Sequence, residues 1–201
     1  MSRLKANTAA VLMAMSLCLV SETVPAIDVK LDEAAIKQAV EEGKQINDVK
    51  KIQVPRFGAD LSKDICGGGG EVRTKKSALQ RLGALIAADP ERAERDKPQV
   101  EQAIQKTADA KELKIAFDFC GDTSDFAEDA QATLEQDGRM IKGEMAKPDK
   151  AKKNTEGPAY RGKITASFPY SAFDPNAPAK VTLYPKIGDA TSWDVDLSQI
   201  K

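Results

Sequence analysis

The clearest alternation of apolar and polar residues in the chain lies at residues 113–119, LKIAFDF. In a strand, alternate positions share one face, so this segment places four apolar side chains together: Leu113, Ile115, Phe117 and Phe119. Asp118 and Cys120 fall on the opposite, wetter face. The pattern predicts a half-buried strand on which helices before it and strands after it pack.

Three further strands follow in the last forty residues. Residues 160–170 alternate as a long half-exposed strand, and Val181 and Leu183 mark the next one after the turn at residues 174–176. Trp193, Val195 and Leu197 alternate in the last strand. The short turns between these strands predict antiparallel pairing. Residues 126–145 have the composition of a helix, but Asp137-Gly138 is a strong hairpin signal, so we predict a hairpin there.

Residues 31–108 have apolar residues at the spacing of helices. We predict a first helix over residues 31–49 capped by Asp32, a second opened by Thr74, and a third opened by Pro98. The charged run PERAERDK before Pro98 is expected to form a solvated turn or an exposed helical turn. We also expect an edge strand at residues 52–54, and a flexible loop at Gly67–Gly70, because four glycines favour neither helix nor strand.

These elements predict an α+β protein in which amino-terminal helices pack on an antiparallel β-meander or small β-sandwich, with one disulfide. About 175 residues suit one ordinary domain with a real core. The single domain is expected to span residues 27–201. Its helical half covers about residues 27–111, and its strand-rich half covers about residues 112–201.

Residues 1–26 have the pattern of a secretory signal peptide. Arg3 and Lys5 precede an almost uncharged segment, and Val24-Pro25-Ala26 predicts cleavage after Ala26. The apolar run of about fifteen residues is shorter than the roughly twenty that a spanning helix needs. Cys18 raises a lipoprotein alternative, which the bulky Leu17 before it disfavours. We therefore expect a periplasmic or secreted protein with no transmembrane segment in the mature chain.

Two cysteines, Cys66 and Cys120, remain after cleavage of the signal peptide. An even pair in an oxidising compartment most simply forms one structural disulfide. Redox catalysis is the weaker alternative, because active dithiols usually have the CxxC spacing, which this chain lacks.

The mature chain is close to neutral. Removing residues 1–26 removes Arg3, Lys5 and Glu22, so 30 basic and 31 acidic residues become 28 and 30. This balance has no basic excess of the kind that binds a phosphate backbone, so we expect no nucleic-acid partner. The basic segment at residues 147–157, KPDKAKKNTEG, is expected to be a solvated loop, with an anionic surface or lipid head groups as the alternative.

The chain contains no histidine, which excludes histidine-assisted serine or cysteine catalysis and histidine-ligated metal sites. The side chains that remain as candidates for catalysis or metal binding are carboxylates. Asp118, Asp122 and Asp125 surround Cys120 and form a candidate calcium site, although they match no EF-hand spacing and are typical of turn and cap positions. No other cofactor is expected. A pair of acids could alternatively act in glycoside cleavage.

We therefore predict an exported, non-catalytic binding or structural module whose partner is another envelope protein or a polysaccharide. The alternatives are a carboxylate-based hydrolase and a calcium-stabilised structural domain. The candidate contacts in the carboxyl half are aromatic, and most are expected to be buried: Tyr160, Phe168, Tyr170, Phe173, Tyr184 and Trp193.

The order of elements also carries a resemblance. The chain resembles an uncharacterised family of secreted bacterial proteins in the order of its segments: a helix ending in EEGK, paired helices, LKIAFDF, then ITASFPYSAFDP, VTLYP and the terminal WDVDLSQIK. The resemblance implies a bacterial envelope or secreted setting and an α+β fold. It implies no activity and no site.

The cysteine prediction can be tested by thiol titration. The exported protein, unfolded without reductant, is expected to have no reactive thiol, because Cys66 and Cys120 would be joined. A reduced sample is the control and should have two. Two reactive thiols in the non-reduced sample would contradict the disulfide.

Overall fold

The computed structural model of the chain describes residues 27–59, 66, 68–155 and 157–200. Within these residues the chain forms four α-helices and two antiparallel β-sheets, which confirms the α+β prediction. The predicted signal peptide at residues 1–26 lies outside the described residues.

The four helices precede most of the strands: α1 (Glu33–Ile46), α2 (Lys75–Ala88), α3 (Pro90–Arg95) and α4 (Lys97–Ala108). Asp32 caps α1 by accepting a hydrogen bond from the amide of Ala35 at 2.7 Å, and Thr74 caps α2 through the amide of Ser77 at 3.1 Å. The charged run before α4 forms α3. None of the described helices is long and apolar enough to cross a membrane.

The ten strands in chain order are β1 (Arg56–Gly58), β2 (Gly69–Arg73), β3 (Glu112–Gly121), β4 (Gln131–Gln136), β5 (Arg139–Lys142), β6 (Glu144–Met145), β7 (Lys152–Lys153), β8 (Tyr160–Pro169), β9 (Pro178–Tyr184) and β10 (Thr191–Asp196). The first sheet has the order β1-β2-β3-β8-β6, and β7 also pairs with β8. The second sheet has the order β10-β9-β4-β5. The amino-terminal half thus supplies β1 and β2 to the first sheet in addition to the helices.

The core lies between the two sheets, so the carboxyl half is a sandwich. β3 and β8 pair over ten residues, from Glu112 opposite Pro169 to Gly121 opposite Tyr160. Their inward side chains pack in one apolar cluster with those of β4 and β9, including Phe117, Phe168, Leu134 and Val181. The alternation of LKIAFDF therefore divides β3 into a face in this core and an outer face, as predicted.

The predicted hairpin within residues 126–145 is confirmed. β4 and β5 are joined by Asp137 and Gly138, whose φ values are 51° and 73°. Two successive positive φ angles are those of a type I′ turn, whose twist matches the twist of the paired strands. The Asp-Gly signal therefore outweighs the helix-forming composition of the segment.

The prediction of a flexible loop at Gly67–Gly70 is wrong for Gly69 and Gly70, and Gly67 lies outside the described residues. Gly69 and Gly70 begin β2, which pairs with β1 and β3. A Cβ on Gly70 would overlap the carbonyl oxygen of Ala116 and lie 2.7 Å from the Phe57 ring. Glycine is present here because the strands and the ring approach closely, which local propensity does not report.

The expected edge strand at residues 52–54 is also wrong, because the strand lies at Arg56–Gly58. The ring of Phe57 packs edge-to-face against Phe117, with centroids 6.0 Å apart, and at a tilt against Trp193, with centroids 5.4 Å apart. This packing draws the later residues into the sheet, whereas Ile52 is buried beside a short 3₁₀ turn.

The predicted disulfide between Cys66 and Cys120 is confirmed, with their Cα atoms 5.3 Å apart. It joins the segment before β2 to the end of β3. The amide of Asn154 donates towards both sulfur atoms, at 3.5 Å for Cys120 and 3.7 Å for Cys66. The disulfide therefore also contacts the segment between β7 and β8.

α1 and α2 cross at two glycines. A Cβ on Gly43 would overlap the carbonyl of Gln80, and a Cβ on Gly83 would overlap the carbonyl of Val40. The two backbones touch at this crossing, next to a second, smaller apolar cluster around Val40 and Leu79.

Replacing Gly83 with alanine should therefore destabilise the protein by about 2 kcal/mol, because the overlap outweighs the better helix propensity of alanine. Urea unfolding measures the change. Gln45→Ala, at an exposed position of α1, is the control and should change stability by less than about 0.5 kcal/mol. A Gly83→Ala variant as stable as the parent would show that the helices separate easily.

Candidate functional site

The outer face of the first sheet contains one buried carboxylate, Glu71 of β2. Alternation along β2 turns this side chain away from the apolar core, beside Arg56 on β1 and Ala116 on β3. Its side chain is only 2% exposed. A carboxylate so deeply buried requires cationic or hydrogen-bonding partners.

Four cations of the described residues surround Glu71, and each comes from a different part of the fold. The guanidinium of Arg73 contacts a Glu71 oxygen at 2.7 Å, and that of Arg56 contacts the other oxygen at 3.4 Å. The ammonium of Lys163 on β8 lies at 3.5 Å, and the guanidinium of Arg81 on α2 lies at 3.7 Å. One carboxylate thus binds β1, β2, β8 and α2 together.

Glu71 is ionised at neutral pH. Burial raises its pKa, but the hydrogen bond from Arg73 and the charges of Lys163, Arg73 and Arg81 outweigh burial and hold the pKa below its ordinary value. A single negative charge therefore faces four positive charges. The cluster keeps a positive excess that Glu71 alone does not neutralise.

Asp118 provides a second carboxylate to the same surface. Its Oδ2 lies 3.4 Å from the ammonium of Lys163, so Lys163 bridges Asp118 and Glu71. Both acids are engaged by a cation. The lowered pKa of Glu71 is the opposite of the raised pKa that a proton-donating carboxyl in a hydrolase requires.

The three candidate calcium ligands have different surroundings in the structure. Asp118 contacts Lys163, whereas Asp122 and Asp125 lie in the exposed turn after β3. The hydrogen bond from Thr123 lowers the pKa of Asp125. Within the described ranges, no group of three or more aspartate, glutamate, cysteine or histidine side chains is arranged to hold a metal ion.

Two adjoining cavities open on this surface. One, of about 310 Å³, lies beside β7 and β8, and the other, of about 620 Å³, lies beside the segment before β1. Arg56 and Lys163 line both cavities, so the two lie side by side. We call the combined surface the basic groove, after the nine cationic residues that line it in the described part of the chain: Lys50, Lys51, Arg56, Arg73, Arg81, Lys150, Lys152, Arg161 and Lys163.

The basic groove has a positive charge, whereas the chain as a whole is close to neutral. Among the described residues, its lining includes three acids, Glu71, Asp118 and Asp149. The whole chain has 30 basic and 31 acidic residues, so the rest of the molecule has an acidic excess. A near-neutral protein that gathers nine cations on one concave surface attracts anions there.

The basic segment predicted as a solvated loop forms one wall of the groove. The amide of Asp149 donates to the carbonyl of Lys163 at 3.1 Å, and Lys152 pairs with Arg161 between β7 and β8. The side chain of Asn154 donates to the carbonyl of Pro158 at 2.8 Å and contacts the disulfide. Backbone hydrogen bonds to β8 therefore hold Lys150 and Lys152 in place beside the groove.

Sequence reasoning did not identify the basic groove as a site. The wet-face positions Arg161 and Lys163 were visible as alternation in β8, and the KPDKAKK segment was visible as a basic run. Arg56, Arg73 and Arg81 left no local signal, because they come from separate elements. Summing charges on the wet faces of paired strands could have found part of the site.

The aromatic residues considered as contacts lie mostly in the interior. Phe168, Tyr170 and Phe173 are buried, and Tyr160 and Trp193 are partly buried against the core. Tyr184 is 37% exposed. The exposed surface of the sandwich thus has no aromatic platform among these six residues, and the basic groove is the better candidate site.

Glu71→Gln tests the role of the buried charge. We expect the variant to lose about 2 kcal/mol at neutral pH, because four cations would face a neutral amide. The pKa of Glu71 is lowered on folding, so its contribution exists above the unfolded pKa and is lost as pH falls through the lower folded pKa. The parent should therefore lose more stability on acidification than Glu71→Gln does.

Urea unfolding at neutral pH and at acid pH measures both effects. Glu41→Gln, which removes an exposed carboxylate paired with Lys44, is the matched control and should change stability by less than about 0.5 kcal/mol. Equal acid sensitivity of the parent and Glu71→Gln would contradict the role given to Glu71.

Comparison with known proteins offers no precedent for this surface. No protein-family model, no curated protein and no solved structure matches the chain. The function of the basic groove must therefore be inferred from the chemistry of its own side chains.

Proposed function

We propose that this protein is an exported, non-catalytic binding module that holds an anionic ligand in the basic groove. The observation that carries the proposal is the cation cluster around Glu71, in which one buried carboxylate holds four cations at one point of a concave surface. Gathering like charges is unfavourable in the free protein. A bound anion relieves that repulsion.

The types of cation support this ligand class. Four arginines line the basic groove: Arg56, Arg73, Arg81 and Arg161. The planar guanidinium group donates two parallel hydrogen bonds to a phosphate, sulfate or carboxylate group. The side chains of Arg73, Arg81 and Lys163 are 29%, 32% and 26% exposed, so their ion pairs are only partly screened by water.

The acids of the groove support binding in preference to catalysis. Lys163 engages both Glu71 and Asp118, and Glu71 remains ionised. In this role Glu71 and Asp118 position the cations around the ligand.

Export is part of this proposal. Residues 1–26 have the sequence pattern of a secretory signal peptide, and the disulfide between Cys66 and Cys120 is typical of oxidising compartments. The resemblance to secreted bacterial proteins adds a periplasmic or secreted setting as part of the proposal.

Charge reversal in the groove tests the proposal. The double variant Lys50→Glu/Lys152→Glu is expected to weaken binding of heparin by about 100-fold, because two attractive charges become repulsive. Both residues are exposed, so the fold should be unaffected. Calorimetric titration measures the affinity, which should also fall as salt is raised.

Lys106→Glu/Lys142→Glu is the matched control. It makes the same change in net charge at exposed positions of α4 and β5 outside the groove. This variant should bind heparin within about threefold of the parent, since long-range charge effects are screened. Equal loss in both variants, or absence of binding by the parent to heparin and to every other polyanion tested, would overturn the proposed function.

A further inference from the structure

We infer that the ligand of the basic groove is an extended anionic polysaccharide that occupies both cavities at once. This inference rests on the proposed function and specifies its ligand. The relevant chemistry is a thin sugar chain with repeated sulfate, phosphate or carboxylate groups.

The positive charge extends further than one small anion can cover. Arg56 and Lys163 stand where the two cavities meet. Four more cations line the larger cavity, and three more line the smaller one: Lys50, Lys51, Arg73 and Arg81, then Lys150, Lys152 and Arg161. A ligand with anions at intervals along a chain matches this distribution.

The shape of the groove favours a thin chain over a membrane surface. The side chains of Arg73, Arg81 and Lys163 are about one-third exposed or less, so they lie below the rim. A bilayer surface is broad and would reach only the rim lysines. A sugar chain can enter the groove and contact the arginines at its floor.

The lining of the groove disfavours the other thin polyanions. No aromatic residue lines either cavity in the described part of the chain, whereas grooves for single-stranded nucleic acids stack bases on aromatic rings. Glu71, Asp118 and Lys163 line the cavities from β2, β3 and β8, whose backbones already pair with a strand on each side. A peptide cannot add to the sheet there as it does at a sheet edge.

The acids in the groove favour a sugar over a bare polyanion. Asp118 and Asp149 line the smaller cavity, and ionised carboxylates only accept hydrogen bonds. Phosphate and sulfate groups are also acceptors and would be repelled by these acids. The hydroxyl groups of a sugar donate hydrogen bonds, so a polysaccharide can satisfy both the cations and the two aspartates.

A length series of heparin fragments tests the inference. We expect affinity to rise steeply from disaccharide to dodecasaccharide, because only the longer fragments span both cavities. Lys50→Gln/Lys51→Gln removes charge from the larger cavity, and Lys150→Gln/Lys152→Gln removes it from the smaller one. Each pair should weaken dodecasaccharide binding by about tenfold, whereas Lys106→Gln/Lys142→Gln should leave it unchanged.

Other polyanions separate this inference from the proposed function. Polygalacturonate fragments test carboxylate in place of sulfate, and a single-stranded oligonucleotide and poly-glutamate of equal charge test the competing polymers. Tighter binding of either competing polymer, or equal affinity for the disaccharide and the dodecasaccharide, would overturn the extended polysaccharide and leave the anion-binding function standing. Absence of binding to every anion would overturn both.

Discussion

The pairing of Glu71 with four cations is the interaction on which the basic groove depends. Without this buried carboxylate, Arg56, Arg73, Arg81 and Lys163 would repel one another and turn towards separate regions of solvent. With it, they converge from two neighbouring strands, a distant strand and a helix. Removing charged groups from water costs free energy. The burial of Glu71 among these cations is therefore better explained by the positions it gives the cations than by a gain in stability.

The framework around this cluster comes from the pairing of β3 with β8. Ten residue pairs hold the two strands together, and their inward side chains form the centre of the sandwich core. Their outward residues include Asp118 and Lys163, which face each other across the pair. The disulfide closes the same end of β3, and Asn154 links it to the segment that brings Lys150 and Lys152 to the groove. The strand pair β3 and β8 therefore supports the core, the disulfide and the charged wall of the basic groove.

The difference between expected and observed elements has a common physical cause. Where neighbours in sequence decide the backbone, the sequence was sufficient: Asp32 and Thr74 cap helices, and Asp137-Gly138 turns a hairpin. Where distant neighbours decide it, local propensity was misleading. Gly70 lies in a strand because β1 and β3 pair with it, and Phe57 and the carbonyl of Ala116 leave room there only for glycine. β1 forms around Phe57 because that ring packs on Phe117 and Trp193.

The sequence by itself determined the α+β class, the alternating faces of β3 and β8, the pairing of Cys66 with Cys120, and the absence of histidine chemistry. These follow from periodicity and composition, which are local or additive properties of a chain. Only the tertiary structure decided that nine cations share one concave surface while the whole chain stays near neutral. Net charge is a sum over all residues, but the attraction of a ligand depends on where the charges lie, and strand register and helix packing determine that position.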